Sequence, residues 1–126
     1  MPKGGSAAFA RIKGDVLAIV RAVPPGKLVS FAAIGAHLDI VPRHAAYILA
    51  TLDPDEVLTV PWHRAMAADG RLGGKRAAEQ AALLADEGLA LRGLRVIDPE
   101  AVLRAVTDLP HGVPQQRRPG SDPSAD

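Results

Sequence analysis

The chain's densest chemistry lies in four consecutive residues, Pro61-Trp62-His63-Arg64. An indole, a ring that titrates near neutrality and a fixed guanidinium charge follow one another there. The apolar run Val57-Leu58-Thr59-Val60 precedes them, and the polar turn Ala68-Asp69-Gly70-Arg71 follows. Two readings fit these residues by themselves. In one, Trp62 is a core aromatic capping a small domain, with His63 hydrogen-bonded and Arg64 exposed. In the other, the three residues form a pocket floor. Lys75 and Arg76 follow closely, a basic turn ahead of a helix.

Residue types exclude several other chemistries. The chain has no cysteine, which removes a thiolate nucleophile, a disulfide framework and a thiolate-bound metal. Its four histidines (His37, His44, His63 and His111) lack ligand spacing, so no metal site is expected. With no glycine-rich phosphate loop, no cofactor is expected either. The net charge of +1 neither demands nor forbids a polyanionic partner, so local clustering of charge decides. No secretory leader and no apolar run near the ~20 residues that span a bilayer can be found. These features imply a cytoplasmic protein with no membrane partner.

The 126 residues suit one domain, expected over residues 9–108, with a flexible leader at 1–8 and a disordered tail at 109–126. Aromatics are only 3% of the chain, so the core must be built from Ala, Leu, Val and Ile. Phe9, Ile12, Val16, Ile19, Val20 and Val23 recur at helical steps until Pro24-Pro25-Gly26. Ser30 suits the N-cap of a helix from Phe31 to about Leu38. Pro42 suits the first turn of another, reaching about Leu52. Together these predict a helix-turn-helix. Asp53 to Glu56 reads as an acidic loop and Val57 to Val60 as extended. Arg76 to Glu87 forms a strong helix stopped by Gly88. Leu89 to Ile97 reads as a small wing split at Arg92-Gly93, and a short helix from Pro99 to about Val106 is expected with Asp98 as its cap. The fold class is mostly α, a helix-turn-helix with a wing.

Several strings resemble the C-terminal domain of the O6-alkylguanine-DNA alkyltransferases: Val23 to Phe31, Pro42-Arg43-His44-Ala45-Ala46, Pro61-Trp62-His63-Arg64, Asp69 to Gly74 and Leu84 to Gly88. In true transferases the second residue of Pro-x-His-Arg is the acceptor Cys. Trp62 in its place is the mark of the alkyltransferase-like proteins, and the resemblance runs from about Phe9 to Asp98. It implies a winged helix-turn-helix and a monomer that is no enzyme. Such a protein flips O6-alkylguanine out of double-stranded DNA and flags it for nucleotide excision repair proteins. The implied lesion pocket is Phe31, Pro61, Trp62, His63, Arg64, Lys75 and Arg76. Ser30, Arg43, His44, Ala45, Ala46 and Tyr47 belong to the implied DNA-binding helix region. His63 and Glu87 are the former proton relay, retained as structural groups.

The resemblance also exposes departures. Ala46 stands where relatives insert an Arg finger into the gap left by the flipped base. Phe31 replaces a Tyr whose hydroxyl engages a phosphate. Tyr47 and Leu49 stand where relatives keep small side chains against the minor groove, and the loop between Gly74 and Glu87 is about two residues short. These changes favour a competing reading, a degenerate relative with weak lesion binding that acts through protein contacts.

Overall fold

The computed structural model describes residues 7–110 and 113–115. The first helix, α1 (Ala7–Ala22), buries Val16, Leu17, Ile19 and Val20 along one face. Pro24-Pro25 ends it because proline offers no amide hydrogen to continue the ladder. A two-residue strand, β1 (Val29–Ser30), leads into α2 (Phe31–Leu38). Ser30 caps this helix as expected, its Oγ accepting from the Ala33 amide at 2.9 Å. After Asp39, which adopts the left-handed conformation at φ 57°, α3 (Pro42–Ala50) begins with proline in its first turn. It stops two residues short of the expected Leu52, where Thr51 leaves helical geometry.

These two helices form the helix-turn-helix, and Gly35 sets how closely they meet. A Cβ at Gly35 would lie 2.5 Å from the Ile40 carbonyl oxygen and 3.2 Å from the Pro42 nitrogen. Both obstacles are backbone atoms, so neither can swing aside.

The segment expected to be extended at Val57–Val60 is instead mostly helical: α4 covers Pro54–Thr59. Its cause is a reciprocal cap. Asp53 accepts from the Glu56 amide while the Glu56 carboxylate accepts from the Asp53 amide, and Pro54 starts the first turn. The expected acidic loop is therefore a helix start. Lys13 on α1 pairs with Glu56 at 3.0 Å and ties the short helix down.

After a single 3-10 turn at Trp62–Arg64, β2 (Ala65–Met66) pairs in parallel with β1, Val29 opposite Ala65 and Ser30 opposite Met66. The helix α5 (Ala77–Asp86) follows a glycine-containing loop. The wing is β3 (Leu91–Arg92) antiparallel to β4 (Arg95–Val96), closed by Gly93-Leu94 with Gly93 at φ 58°. Beyond it the expected helix from Pro99 to Val106 does not form. Two 3-10 turns, Pro99–Ala101 and Val106–Asp108, flank Leu103, whose segment pairs with Leu28. The Leu28 amide donates to Val102 and its carbonyl accepts from Arg104, so that backbone is committed to pairing. Asp98 is left-handed and makes no side-chain cap.

Two apolar clusters result. The larger joins α1, α2 and α3 with Val29, Val60, Trp62, Ala65 and Val106. The smaller joins Leu28, Met66, Leu72, Ala77, Leu84 and Val96 beneath the wing. Part of the stretch expected to be disordered is placed against the larger cluster: Val113 packs on it, and His37 Nε2 lies 2.7 Å from the Pro114 carbonyl oxygen. His111, Arg117-Arg118 and the leader through Ser6 lie outside the described residues. Among the described residues no helix is long and apolar enough to cross a membrane.

Gly35 supplies the test of this packing. Gly35→Ala should lower unfolding free energy by about 1–3 kcal/mol, because the added methyl must separate the two helices. Urea denaturation measures it; an unchanged midpoint would show that the helix pair can spread without cost.

Candidate functional site

The turn carrying Trp62, His63 and Arg64 is fixed by its own backbone first. The Trp62 amide donates to Val60 at 2.7 Å and the Arg64 amide to Pro61 at 3.0 Å. This points the indole inward, where Trp62 is only 8% exposed and belongs to the larger core cluster. His63 packs edge-on to it, ring centroids 6.1 Å apart at 85°. The Trp62 ring is covered by Arg76, whose Cζ lies 5.9 Å from the ring centroid, within cation–π range. Glu79, one turn further along α5, holds the Arg76 guanidinium at 3.1 Å. Cavities of about 300 and 310 Å³ flank the wing instead, and neither is lined by Trp62.

Glu87, at the C-terminal end of α5, gathers the rest. Its Oε2 lies 2.7 Å from His63 Nε2 and accepts from Arg64 Nε at 2.9 Å and Nη2 at 2.8 Å. Its Oε1 accepts from the Gly26 amide at 2.8 Å. Arg64 Nη1 donates in turn to the Val23 carbonyl at 2.9 Å. One carboxylate thus ties the exit of α1, the Pro-Trp-His-Arg turn and the end of α5. Of the two readings of Arg64, the exposed one is excluded, since its side chain is 16% exposed and all three guanidinium nitrogens have partners. Burial alone would raise the pKa of Glu87. Hydrogen bonds from Arg64, the Gly26 amide and His63, with the Arg64 charge, outweigh that and hold it at about 2 against an ordinary 4.5. An ionised carboxylate can only accept, so His63 donates its Nε2 hydrogen.

Sequence reasoning missed Gln80. It is 6% exposed, and its Nε2 donates to the carbonyls of both His63 (3.1 Å) and Ala65 (2.9 Å), holding the turn from below. The signal for it was its place between Ala77 and Leu84 on the apolar face of α5, where a polar residue needs a buried partner.

The helix-turn-helix presents a second surface. On α3, Arg43, Tyr47 and Ala50 are exposed and Ala46 is half-buried beside them, a spacing that puts all four on one face. Ala45 is fully buried and faces the core, so it is not on the outward surface implied for the DNA-binding helix. His44 lies against Phe9 of α1, ring centroids 6.1 Å apart. Leu49 is 7% exposed and turned inward, so it cannot crowd a groove as its alignment with relatives implied. Tyr47, at 59% exposure, can. Phe31 is half-buried against the larger cluster, and Lys75 is exposed. The structure therefore joins Trp62, His63, Arg64, Arg76 and Glu87 into one assembly, while Arg43, Ala46 and Tyr47 share the outward face of α3.

The Glu87 knot predicts an acid limb in stability. A folded pKa below the unfolded one stabilises fully above about pH 4.5, and the contribution is lost as pH falls toward 2. Glu87→Gln should cost on the order of 2–4 kcal/mol at pH 7 and flatten stability between pH 4.5 and 2. Denaturant titrations across that range measure it; an unaltered acid limb in the variant would contradict the assignment.

The chain and its fold are similar to known proteins. A sequence model described as 6-O-methylguanine DNA methyltransferase, DNA binding domain, matches residues 11–89. A DNA base-flipping protein of Thermus thermophilus is 46% identical over 55 residues, which cover 44% of this chain. The match spans 36% of that protein's length. The fold is similar to S. pombe Atl1 in complex with damaged DNA containing O6-carboxymethylguanine, with a TM-score of 0.65 at 19% identity, covering 75% of this chain and 95% of that one. It is also similar to S. pombe ATL in complex with DNA, with a TM-score of 0.61 at 18% identity over 82% and 98% of the two chains. With the family match extending over well more than half its length, the chain belongs to the family of the 6-O-methylguanine DNA methyltransferase DNA-binding domain.

Proposed function

We propose that this chain is a non-enzymatic sensor of alkylated DNA, an alkyltransferase-like member that receives O6-alkylguanine against Trp62 and marks it for nucleotide excision repair. The observation that carries the reading is the pairing of an intact His63–Glu87–Arg64 frame with an indole where a nucleophile would stand. Irreversible alkyl transfer requires a thiolate activated by a neighbouring base, and the chain has no cysteine to supply one. Within the family, the S. pombe protein solved with an O6-carboxymethylguanine duplex and the Thermus base-flipping protein support lesion recognition as the retained activity.

In this mechanism α3 lies against the duplex with the face of Arg43, Ala46 and Tyr47, and the damaged nucleotide rotates out of the stack. Extrusion costs a few kcal/mol, least for a damaged or mispaired base, so the pocket must return at least that. Trp62 is closed over by Arg76 in the unbound protein, and the Arg76 guanidinium must therefore lift before a base can enter. Gly73 and Gly74 lie just before it, and a Cβ at either would meet nothing within 4 Å, so no neighbour packs on them there. Once lifted, the cation can settle on the base, a contact worth ~0.5–2 kcal/mol. The Glu87 carboxylate and His63 Nε2 serve as framework, since their hydrogen bonds are spent on each other, Arg64 and Gly26.

The degenerate reading is favoured by two observations, the small side chain at Ala46 and the closure of Trp62. Fluorescence anisotropy on matched duplexes, with and without one O6-methylguanine and at two salt concentrations, separates it from the proposal. Sensing predicts tighter binding to the lesion duplex at both salts. Equal, steeply salt-dependent binding would reduce the function to backbone attraction, and no binding would favour the degenerate protein. Ala46→Arg, placed on the outward face of α3, should tighten lesion binding roughly tenfold if one added contact is worth ~1.4 kcal/mol; unchanged affinity would place the defect at Tyr47 or the Arg76 loop.

A further inference from the structure

The wing carries an arrangement that folding alone does not favour. In β3 and β4, Arg92 stands directly opposite Arg95 across the two-residue turn. On the other side of β4, Arg95 stands directly opposite Arg71 in an antiparallel bridge. That bridge is flanked by hydrogen bonds from the Leu72 amide to the Leu94 carbonyl and from the Val96 amide to the Gly70 carbonyl, both 2.8 Å, which fix its register. Residues directly opposite in antiparallel strands share a face, so Arg71, Arg95 and Arg92 form one row. The opposite face bears Val96, 2% exposed, and its cross-strand partner Leu91, both packed on the smaller cluster. All three arginines are exposed on the outer face.

Like charges placed directly across a strand pair are destabilising, and these neighbours stand well inside a Debye length of ~10 Å. Compensation is thin. Asp69 approaches Arg71 at 3.8 Å, and its backbone carbonyl accepts from Arg95 Nε at 3.3 Å. Asp98 lines the groove beside Arg92 and Arg95, without forming an ion pair with either, and the Arg92 side chain has no hydrogen bond or ion pair among the described residues. The strand holding Arg71 also runs directly through Leu72, Gly73 and Gly74 into Lys75 and Arg76, so the row is joined to the loop that covers Trp62.

We propose that this row is a phosphate-contact site, which grips the DNA backbone beside the nucleotide received at Trp62. The inference rests on the DNA-binding reading above. Across adjacent strands the row spans about 10 Å at ~4.8 Å per strand, enough to face neighbouring phosphates of one DNA strand. Guanidinium forks suit phosphate oxygens, and contacts of this kind position a protein on the duplex without reading sequence. The row therefore supplies affinity common to damaged and undamaged DNA, while Trp62 and Arg76 supply the difference between them.

Arg95→Gln and Arg92→Gln, each tested in the full chain, separate the two contributions. Each variant should weaken binding to the O6-methylguanine duplex and its undamaged counterpart by the same factor, about three- to tenfold, and reduce the slope of log affinity against log salt by ~0.9 for each phosphate no longer neutralised. Melting temperature should hold or rise, because a like-charge neighbour has been removed. Unchanged affinity and salt slope on both duplexes would overturn the row, whatever the lesion preference of the wild-type chain. A wild-type chain that binds both duplexes equally, with variants that weaken both, would keep the row and overturn lesion sensing instead. A wild-type chain that binds neither duplex would overturn both.

Discussion

A single carboxylate organises this molecule. Glu87 closes α5 while receiving hydrogen bonds from His63, Arg64 and the Gly26 amide, and Arg64 reaches past it to the Val23 carbonyl. The two apolar clusters are thereby joined by polar groups as well as by their shared strands. A core with so few aromatics has little excess burial to spare, so a charged knot at 12% side-chain exposure matters more than an exposed pair would. It also explains why the Pro-Trp-His-Arg turn has one geometry. Gln80 holds the His63 and Ala65 carbonyls and Glu87 the His63 and Arg64 side chains, which fixes the turn that buries the indole.

That rigidity bears on the proposed function. A sensor that does no chemistry has only binding energy with which to distinguish a damaged base, so its floor should be fixed and its lid movable. Trp62 and Arg76 divide in this way. The former is locked into the core, and the latter lies half-exposed at the start of α5 behind a glycine pair. On the proposed reading, the His63–Glu87 pair is what holds that floor in shape.

Much of the fold is legible in the sequence because its signals are local. Helical spacing in α1, Ser30 as a cap, Pro42 in a first turn, Gly88 as a stop and Gly93 in a tight turn all act within a few residues. The cause of α4 is equally local and still runs against expectation, because its acidic residues look like a loop while Asp53 and Glu56 in fact cap each other. Leu49 shows a different error. Its place after Ala45 and Ile48 is a helical core spacing, and that periodicity is the better guide than alignment with relatives. The remainder is illegible for want of local cause. The partners of Arg64 lie 23 and 41 residues away, the β1–β2 pairing joins two-residue strands far apart in sequence, and Gln80 becomes meaningful only once the turn it supports is placed.

Trp62 is the only tryptophan in the chain, so its emission reports on the proposed site without labelling. Titrating the protein with duplex DNA bearing one O6-methylguanine, and with the unmodified duplex, follows that emission directly. A base seated on the indole predicts saturable quenching at one lesion per protein, weak or absent with the unmodified duplex. Lesion DNA that binds while leaving the Trp62 emission unchanged would contradict the account at its centre.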